Sequence, residues 1–362
     1  MSRIVAFGEI MARFSAPGFR RFAQCMPGSL DVLFAGAEAS VAMSIAHLGG
    51  RAAFVTALPQ HALADACVAT LRSVGIDTSH IVRTDQGRLG LYFLEAGVNQ
   101  RPSQVIYDRE GASIAVLPAD AYDWDAIFQD ADWLVISGIT PALSATAAEV
   151  TLHALAEATR RGVRVLCDMN YRAKLWRWDR STPPRQLAIR TLRELLPSVD
   201  LFIAGSDEIE ELLGETVQVP AADGVEPAAR FAAAAGRLAS RYPRLQRVAT
   251  TVRQSQSAST HHLGGMLFDG QTAEVFIAPQ ANGVFAPYRV SQMVDRIGTG
   301  DAFTAALLVA LTTAELASPQ RAIAFASAAF CLSHSIDGDF NYSTRAEIEA
   351  LTAGDQSGRV QR

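Results

Sequence analysis

The chain has 362 residues, of which 49% are hydrophobic, and its formal net charge is −5 at pH 7. This length and apolar content are sufficient for a large buried core, in one α/β domain or two smaller ones. An acidic chain without a clustered basic face is not expected to bind nucleic acid. Apolar runs such as Ala302–Leu311 are shorter than the roughly 20 residues of a membrane helix, and the chain opens on a strand-like segment. We therefore expect a soluble cytoplasmic protein with no membrane partner.

The use of cysteine and lysine narrows the chemistry further. The four cysteines are widely separated and show no Cys-x-x-Cys spacing, which argues against a disulfide framework or a zinc site. Lys174 is the only lysine, and the chain contains no Gly-Lys-Ser/Thr sequence, which a Walker A loop requires. If the protein handles nucleotide phosphates, backbone amides, arginine and a metal ion must bind them.

Short β-branched runs alternate with longer Ala/Leu-rich runs along the chain, which predicts a three-layer α/β/α sandwich around a mostly parallel sheet. The predicted strands are Ile4–Phe7, Ala53–Thr56, Trp133–Ser137, Val163–Asp168, Leu201–Ala204 and Arg247–Val252. The predicted helices are Ala37–Leu48, Ala62–Val74, Ala145–Arg161, Arg185–Leu195, Asp207–Leu213, Pro227–Arg241, Asp301–Leu311 and Pro319–Ser333.

Two segments, about 11–34 and 89–106, interrupt this alternation. The second contains the alternating run Leu91–Leu94, which predicts antiparallel strands and hence a small β-sheet lid over one end of the sandwich. Since there is no internal repeat or low-complexity linker, we predict one domain over residues 1–353 and a mobile tail over 354–362. An exposed lid edge is often covered by a second chain, so a homodimer is expected.

The segment Val294–Phe303 sets a carboxylate behind a glycine turn and immediately before an apolar helix. Backbone N–H groups at a helix N-terminus favour an anion, and glycine lets the backbone approach a ligand closely. Asp301 is placed to accept a proton from a hydroxyl group. With an ordinary pKa of about 4 it would be ionised at neutral pH, and the helix N-terminus would make it a weaker base. The same sequence can also serve only to start a helix.

This segment resembles the signature of the ribokinase-like (PfkB-type) carbohydrate kinases, which reads Asp-x-x-Gly-(Ala/Gly/Thr)-Gly-Asp-x-Phe. The matching residues are Asp295, Gly298, Gly300, Asp301 and Phe303. The resemblance implies a ribokinase-like fold, ATP and magnesium as cofactors, and Asp301 as catalytic base. It also implies that Gly298, Thr299 and Gly300 surround the transferred phosphate. A requirement for a monovalent cation is left open.

A second matching segment, Phe34–Ala42, resembles the sugar-binding turn Gly-Gly-Ala-Glu-x-Asn-Val-Ala of the same family. It implies that the backbone at Gly36 approaches the substrate. Ala35 and Ser40 stand where the family has glycine and asparagine. Tight helix packing is the alternative explanation for these small residues.

Two tyrosines and two arginines, Tyr92, Tyr107, Arg109 and Arg172, say most about the substrate. Arginine offers a planar fork that suits a carboxylate or a phosphate, although an arginine-rich chain also places arginines on its surface.

The segments around these residues, together with Gly8–Ser15 and His334–Asn341, resemble 2-keto-3-deoxygluconate kinases within the family. The resemblance implies that Gly36, Tyr92, Tyr107, Arg109 and Arg172 hold the keto acid. Its terminal primary hydroxyl would be phosphorylated to give the 6-phosphate. The galactonate epimer is not distinguished.

For the nucleotide, Gly205–Glu208 resembles the Asn-x-x-Glu motif of the family, with glycine in place of asparagine. It implies that Glu208 helps to hold magnesium through water. Thr251 matches a phosphate-contacting threonine that would act with Gly298 and Gly300. Arg253 stands where glycine is common, and an arginine there could contact a phosphate.

Three other functions are weighed against this one. A ribokinase- or fructokinase-type enzyme would act on a neutral sugar and would not need two arginines. A catalytically silent sugar sensor is suggested by the altered positions, but the retained Asp301 argues against it. A dinucleotide-dependent oxidoreductase is disfavoured because no Gly-x-Gly-x-x-Gly follows the first predicted strand.

Overall fold

A computed structural model describes residues 2–215 and 228–358. The strands are β1 (Arg3–Phe7), β2 (Met11–Ser15), β3 (Asp31–Ala35), β4 (Arg51–Val55), β5 (Ala57–Pro59), β6 (Val82–Thr84), β7 (Gly90–Glu95), β8 (Gln104–Asp108), β9 (Trp133–Ser137), β10 (Arg164–Asp168), β11 (Leu201–Ile203), β12 (Arg247–Ser255), β13 (His261–Asp269), β14 (Glu274–Ala278), β15 (Gln280–Ala281), β16 (Val284–Phe285) and β17 (Tyr288–Val290). The helices are α1 (Phe22–Cys25), α2 (Ala37–His47), α3 (Ala62–Ser73), α4 (Ser113–Val116), α5 (Trp124–Phe128), α6 (Ala145–Arg160), α7 (Pro184–Leu195), α8 (Ser206–Leu213), α9 (Ala228–Arg241), α10 (Thr299–Thr312), α11 (Pro319–Ser333) and α12 (Arg345–Thr352).

The central sheet runs in the order β14-β13-β12-β11-β10-β9-β1-β4, with β17 also paired to β13. The strands from β4 to β12 are parallel, and β13, β14 and β17 are antiparallel. Successive residues of β1 enter two different apolar cores, because side chains alternate between the faces of a sheet. Ile4 and Ala6 pack with α2, α10 and α11, whereas Val5 and Phe7 belong to the core that contains α6, α7 and α9. The predicted three-layer α/β/α sandwich is confirmed.

A separate four-stranded sheet, in the order β3-β2-β7-β8, forms the predicted lid. The pairs β2·β3 and β7·β8 are antiparallel, as expected, but β2 and β7 pair in parallel. A parallel pair is possible here because β2 and β7 belong to two separate insertions, so no hairpin forces them to be antiparallel.

All of the predicted strands and helices are present, with ends that shift by a few residues. Helix α10 begins at Thr299, two residues before the predicted start. The predicted start of α9, Pro227, lies outside the described residues. The prediction omits the antiparallel strands between His261 and Val290 and the last helix, α12.

Residues 354–358 are exposed and belong to no strand or helix, and 359–362 lie outside the described residues, so the mobility of the tail stays a prediction. Over the described residues, no helix is both long enough and apolar enough to cross a membrane.

Candidate active site

The carboxyl ends of β10, β11 and β12 and the turn before α10 line a cavity of about 640 Å³. Ligand sites of open α/β sheets commonly lie at this edge. The cavity lining includes these residues to which the sequence analysis assigned a role: Tyr107, Arg172, Glu208, Thr251, Arg253, Gly298, Thr299, Gly300 and Asp301. Gly36, Tyr92 and Arg109 are not among its lining residues.

The two positions of the turn that are glycine, Gly298 and Gly300, differ in the structural reason for that residue. Gly298 has a φ of 78°, and a Cβ there would lie 2.0 Å from the carbonyl oxygen of Asp339. Only glycine fits such a position without strain. Gly300 has no heavy atom within 4 Å of an added Cβ, and it lines the cavity. The open space at Gly300 therefore leaves the backbone accessible to a ligand.

The Gly298–Gly300 turn presents backbone N–H donors to the cavity. Gly298 is the residue before the first turn of α10, so the N–H groups of Thr299, Gly300 and Asp301 precede the first intrahelical donor, Ala302, whose N–H bonds the Gly298 carbonyl at 3.0 Å. Donors of this kind need a partner from outside the helix, and an anion provides one.

Asp301 is buried in the first turn of α10. Burial raises the pKa of its carboxyl well above the ordinary value, and the nearby carboxylate of Asp168 raises it further, whereas Arg172 opposes the shift. The expectation of an ordinary pKa near 4 is therefore wrong, because it considered only the helix N-terminus and neglected desolvation. A raised pKa makes Asp301 a stronger proton acceptor, as a general base requires.

Asp168, at the end of β10, is a second carboxylate of the cavity that the sequence analysis did not select. Burial raises its pKa to about 7; Arg172 and the N–H group of Asn170 lower it, and Glu38 and Glu208 raise it. A polar residue that ends a fully apolar strand, as Asp168 does after Val165–Cys167, is the signal that could have identified it.

Three arginines, Arg172, Arg253 and Arg296, line the same cavity. Within residues 2–215 and 228–358, none of the three forms an ion pair with a carboxylate. Arg230, which also borders the cavity, is paired with Asp207 and Glu210. Unpaired guanidinium groups in a cavity favour a multiply charged anionic ligand.

Glu208 lies in the first turn of α8, and its carboxylate accepts the N–H group of Gly205 at 2.8 Å. In the part of the chain that the structure describes, no cluster of three or more His, Cys, Asp or Glu side chains is arranged to hold a metal ion directly. Magnesium commonly keeps several waters and uses one or two carboxylates together with phosphate oxygens. Glu208 and Asp168, on the border of the cavity, fit that mode of binding.

The lid is joined to the glycine turn by buried charges, which we term the lid-base network: Arg13, Tyr92, Asp295 and Asp339. Arg13 of β2 contacts the carboxylates of Asp295 at 2.6 Å and Asp339 at 2.9 Å. The hydroxyl of Tyr92 donates to Asp339 at 2.6 Å. Tyr92 is thus held at the base of the lid, where its ring lies 6.3 Å from that of Tyr107, a residue of the cavity lining.

Asp295 continues this network into the turn. Its carboxylate accepts the N–H groups of Arg296 at 2.6 Å and Ile297 at 3.1 Å. The same carboxylate therefore holds the turn and binds the lid arginine.

Arg109 forms a buried ion pair with Glu9 and lies with its guanidinium carbon 5.5 Å from the centre of the Tyr107 ring. It borders a second cavity, of about 750 Å³, which shares Tyr107 with the first. Gly36 precedes α2, and a Cβ there would lie 2.0 Å from the carbonyl oxygen of Glu9. Both residues thus meet Glu9, and their expected roles in substrate binding stay predictions.

A loop after β10 connects the cavity to the lid. Lys174 donates from Nζ to the carbonyl oxygen of Val105 in the lid strand β8, at 3.1 Å. Arg172 of the same loop lines the first cavity, and Trp176 packs in a small apolar cluster with Leu187. The loop is therefore fixed just after Arg172, by the lid contact of Lys174 and by the apolar anchor Trp176.

The chain is also similar to known proteins. The pfkB family carbohydrate kinase model matches residues 1–240. The chain is 32% identical to the 2-dehydro-3-deoxygalactonokinase of Haloferax volcanii over 357 residues. This alignment covers 99% of this chain and 98% of that protein. It also resembles the crystal structure of the 2-dehydro-3-deoxygluconokinase of Thermotoga maritima, with 36% identity, a TM-score of 0.86 and coverage of 98% and 100% of the two chains.

The family match, the full-length relative and the glycine turn with its aspartate agree with one another. This protein is a member of the pfkB family of carbohydrate kinases.

Proposed function

We propose that this protein uses ATP to phosphorylate the terminal primary hydroxyl of a 2-keto-3-deoxy sugar acid, with 2-keto-3-deoxygluconate as the favoured acceptor and its 6-phosphate as the product. The observation that carries the proposal is the buried carboxylate of Asp301, which borders an arginine-lined cavity directly after a glycine turn. Relatives named for kinases of such keto acids support the class of acceptor.

In the proposed step, the acceptor oxygen bonds to the γ-phosphorus as the bond from that phosphorus to the bridging oxygen of ADP breaks. Asp301 takes the proton of the hydroxyl group. The N–H groups of Thr299, Gly300 and Asp301 stabilise negative charge on the transferring group, because they have no acceptor within the helix. Thr251 is proposed to contact the nucleotide phosphates.

Magnesium, when bound, neutralises charge on the phosphate oxygens. Glu208 is proposed to hold it through water, with Asp168 as a second carboxylate. The requirement for a monovalent cation stays open.

For the acceptor, we propose that Arg172 binds the carboxylate of the keto acid, since Arg172 lines the cavity and its guanidinium has no ion-pair partner within the described residues. Tyr107 borders the same cavity and offers its hydroxyl. Gly36, Tyr92 and Arg109 are proposed to complete the acceptor site, and Arg109 must then share its charge with Glu9.

The galactonate epimer is the second candidate acceptor. It is favoured by one specific observation, the full-length relative from Haloferax volcanii that is named for that epimer. The choice between the two depends on the contacts of a single hydroxyl group.

The test is ADP release with ATP and magnesium across a panel of 2-keto-3-deoxygluconate, its galacto epimer, gluconate, ribose, fructose and no acceptor. Turnover restricted to the two keto acids supports the proposal, and their ratio of kcat/KM decides the epimer. Preference for ribose or fructose would keep the kinase and reject the acid acceptor. Absence of turnover with every compound would contradict the proposed reaction.

Arg172→Ala gives a sharper test, with Arg241→Ala as the control, because both arginines are exposed and lack an ion-pair partner in the described structure, but Arg241 ends α9 and lines neither cavity. Loss of a charge-assisted contact should raise the KM for the keto acid by about 10–100-fold in Arg172→Ala. The control should change it by less than about twofold. Equal effects would exclude a specific role for Arg172.

We further propose that residues 1–353 act as one kinase domain, that the exposed edge of the lid is covered in a homodimer, and that the reaction takes place in the cytoplasm, where ATP is available. Sedimentation of the intact chain tests the dimer, and a purely monomeric protein would reject it.

A further inference from the structure

Arg253 lies on strand β12, which extends beyond the end of its neighbour β11 and into the cavity. Strand β12 pairs with β11 only from Arg247 to Ala249 and then continues to Ser255 as a hairpin with β13. The residues past this point, Thr250, Thr251 and Arg253, line the cavity. Arg253 is therefore held by a regular β-ladder, opposite Leu263, and not by a mobile loop.

Two contacts orient the side chain of Arg253. Its Nη2 donates to Oγ1 of Thr299 at 3.0 Å, in the first turn of α10. Its guanidinium carbon lies 5.2 Å from the centre of the Phe330 ring. Stacking on an aromatic ring and one hydrogen bond leave other guanidinium donors available, because arginine has five.

The charge of Arg253 is not balanced by the protein. Among the described residues no carboxylate lies within ion-pair distance, and the charged groups that act on its pKa are two other arginines, Arg296 and Arg172. Burial and these two like charges lower the pKa of Arg253 to about 10. It is still positively charged at neutral pH. A partly buried guanidinium beside two other cations is unfavourable unless a ligand supplies the opposite charge.

We propose that Arg253 binds the phosphoryl group that is transferred, at the N-terminus of α10. The contact with Thr299 places the guanidinium at the same turn as the unpaired N–H groups of Thr299, Gly300 and Asp301, so one anionic group can meet both kinds of donor. The inference rests on the proposed use of ATP and assigns Arg253 to its terminal phosphate and not to the base or the inner phosphates.

The variant Arg253→Met tests this inference, since methionine removes the charge and keeps an unbranched side chain against Phe330. Arg164→Met is the matched control, because Arg164 also stacks on an aromatic ring, 4.4 Å from that of Trp133, but lies at the opposite end of the sheet strands. Thermal unfolding of both variants reports whether the fold is kept. Arg253→Lys, which keeps the charge without the fork, provides a second variant should Arg253→Met not fold.

The first readout is calorimetric binding of ADP and of β,γ-imido-ATP, with magnesium and without acceptor. We expect Arg253→Met to weaken the imido analogue by at least about 10-fold and ADP by less than about threefold. With acceptor, kcat should fall by about 10²–10³-fold. Equal weakening of both nucleotides, or no change in either, would overturn the inference.

The binding readout separates this inference from the proposed function. If the proposed acceptor is wrong, the nucleotide affinities do not change, because they are measured without acceptor. They therefore still test the role of Arg253. A wild-type protein that binds neither nucleotide would instead reject the use of ATP itself. Arg253→Lys should show an intermediate loss, and a loss as large as that of Arg253→Met would place the effect in the fork geometry.

Discussion

Arg13 of the lid-base network and the arginines of the cavity contact very different partners. Arg13 is buried between the carboxylates of Asp295 and Asp339. Arg172, Arg253 and Arg296 line a cavity and have no such partner in the described parts of the chain. The difference indicates two uses of one residue type: a paired arginine joins elements of the fold, whereas an unpaired one retains its charge for a ligand. We therefore expect changes at the cavity to reduce activity and changes at the lid base to reduce stability.

The largest effect is expected at the cavity, from Asp301→Asn. Loss of the proton acceptor should lower kcat by roughly 10²–10⁴-fold with little change in the KM of the acceptor. Stability should not fall. Because the pKa of Asp301 is raised in the folded protein, its ionised form costs stability as the pH rises through that pKa, and asparagine removes this cost.

The Tm of Asp301→Asn at pH 8 should therefore equal or exceed that of the wild type, by about 1–3 °C at most. Steady-state kinetics and thermal unfolding of the same preparation check both parts. Activity within about threefold of the wild type would reject the role of Asp301.

At the lid base, Arg13→Ala should unfold the protein more easily. It leaves the carboxylates of Asp295 and Asp339 buried without their cation, which costs about 3–5 kcal/mol. Arg88→Ala is the control, because Arg88 forms an ion pair with Asp108 that is 42% and 47% exposed at its two side chains. Such pairs contribute less than about 1 kcal/mol. Urea unfolding measures the free energy of unfolding of both variants. Similar decreases in Arg13→Ala and Arg88→Ala would show that burial of the ion pair at the lid base does not matter for stability.

The same contrast should appear within the glycine turn. Gly298→Ala forces a side chain into a left-handed backbone and against the carbonyl of Asp339, so we expect a loss of at least about 2 kcal/mol. Gly300→Ala has room for its Cβ and should be neutral or stabilising, since alanine favours a helix over glycine by about 1 kcal/mol. It should nevertheless lower kcat/KM by about 10-fold or more, because the methyl group occupies space at the turn. Unfolding and steady-state kinetics of the two variants are measured side by side. A Gly300→Ala protein less stable than Gly298→Ala would contradict the prediction.

The smallest expected effect is a shift in pH dependence. The carboxylate of Asp168 raises the pKa of Asp301, and Asp301 must be ionised to accept a proton, so activity should be lost as the pH falls through that raised pKa. Asp168→Asn removes the charge and, at saturating magnesium, which compensates for the loss of a proposed magnesium carboxylate, should move the acidic limb of kcat/KM to lower pH by roughly 0.5–1 unit. A limb that stays in place, or moves to higher pH, would show that the two carboxylates are not coupled.

The parallel part of the sheet could be predicted because each strand and helix has its own local pattern. Trp133–Ser137 is a continuous apolar run, and Ala145–Arg160 has helical periodicity. Strand β13 was missed because His261–Asp269 mixes histidines and two glycines, and its partners on both sides set its structure. Its conformation is therefore determined by pairing more than by local propensity.

The site divides in the same way. Gly298–Asp301 could be predicted because a turn and the helix after it are adjacent in sequence. The contact of Arg13 with Asp339 joins residues that are 326 positions apart, so no spacing in the sequence points to it. The ordinary pKa assigned to Asp301 was wrong for the same reason, since the burial that chiefly raises it and the Asp168 carboxylate that adds to it come from segments distant in the sequence.

The contact between Lys174 and Val105 has a practical consequence. Because Lys174 is the only lysine, its amine is the single side-chain target for an amine-reactive fluorophore. The amine lies between the loop that carries Arg172 and the lid strand β8, so the emission of a dye attached there would respond when those two segments separate. Labelling of side chains thus places an optical reporter at the junction of the lid and the substrate loop without any engineered cysteine.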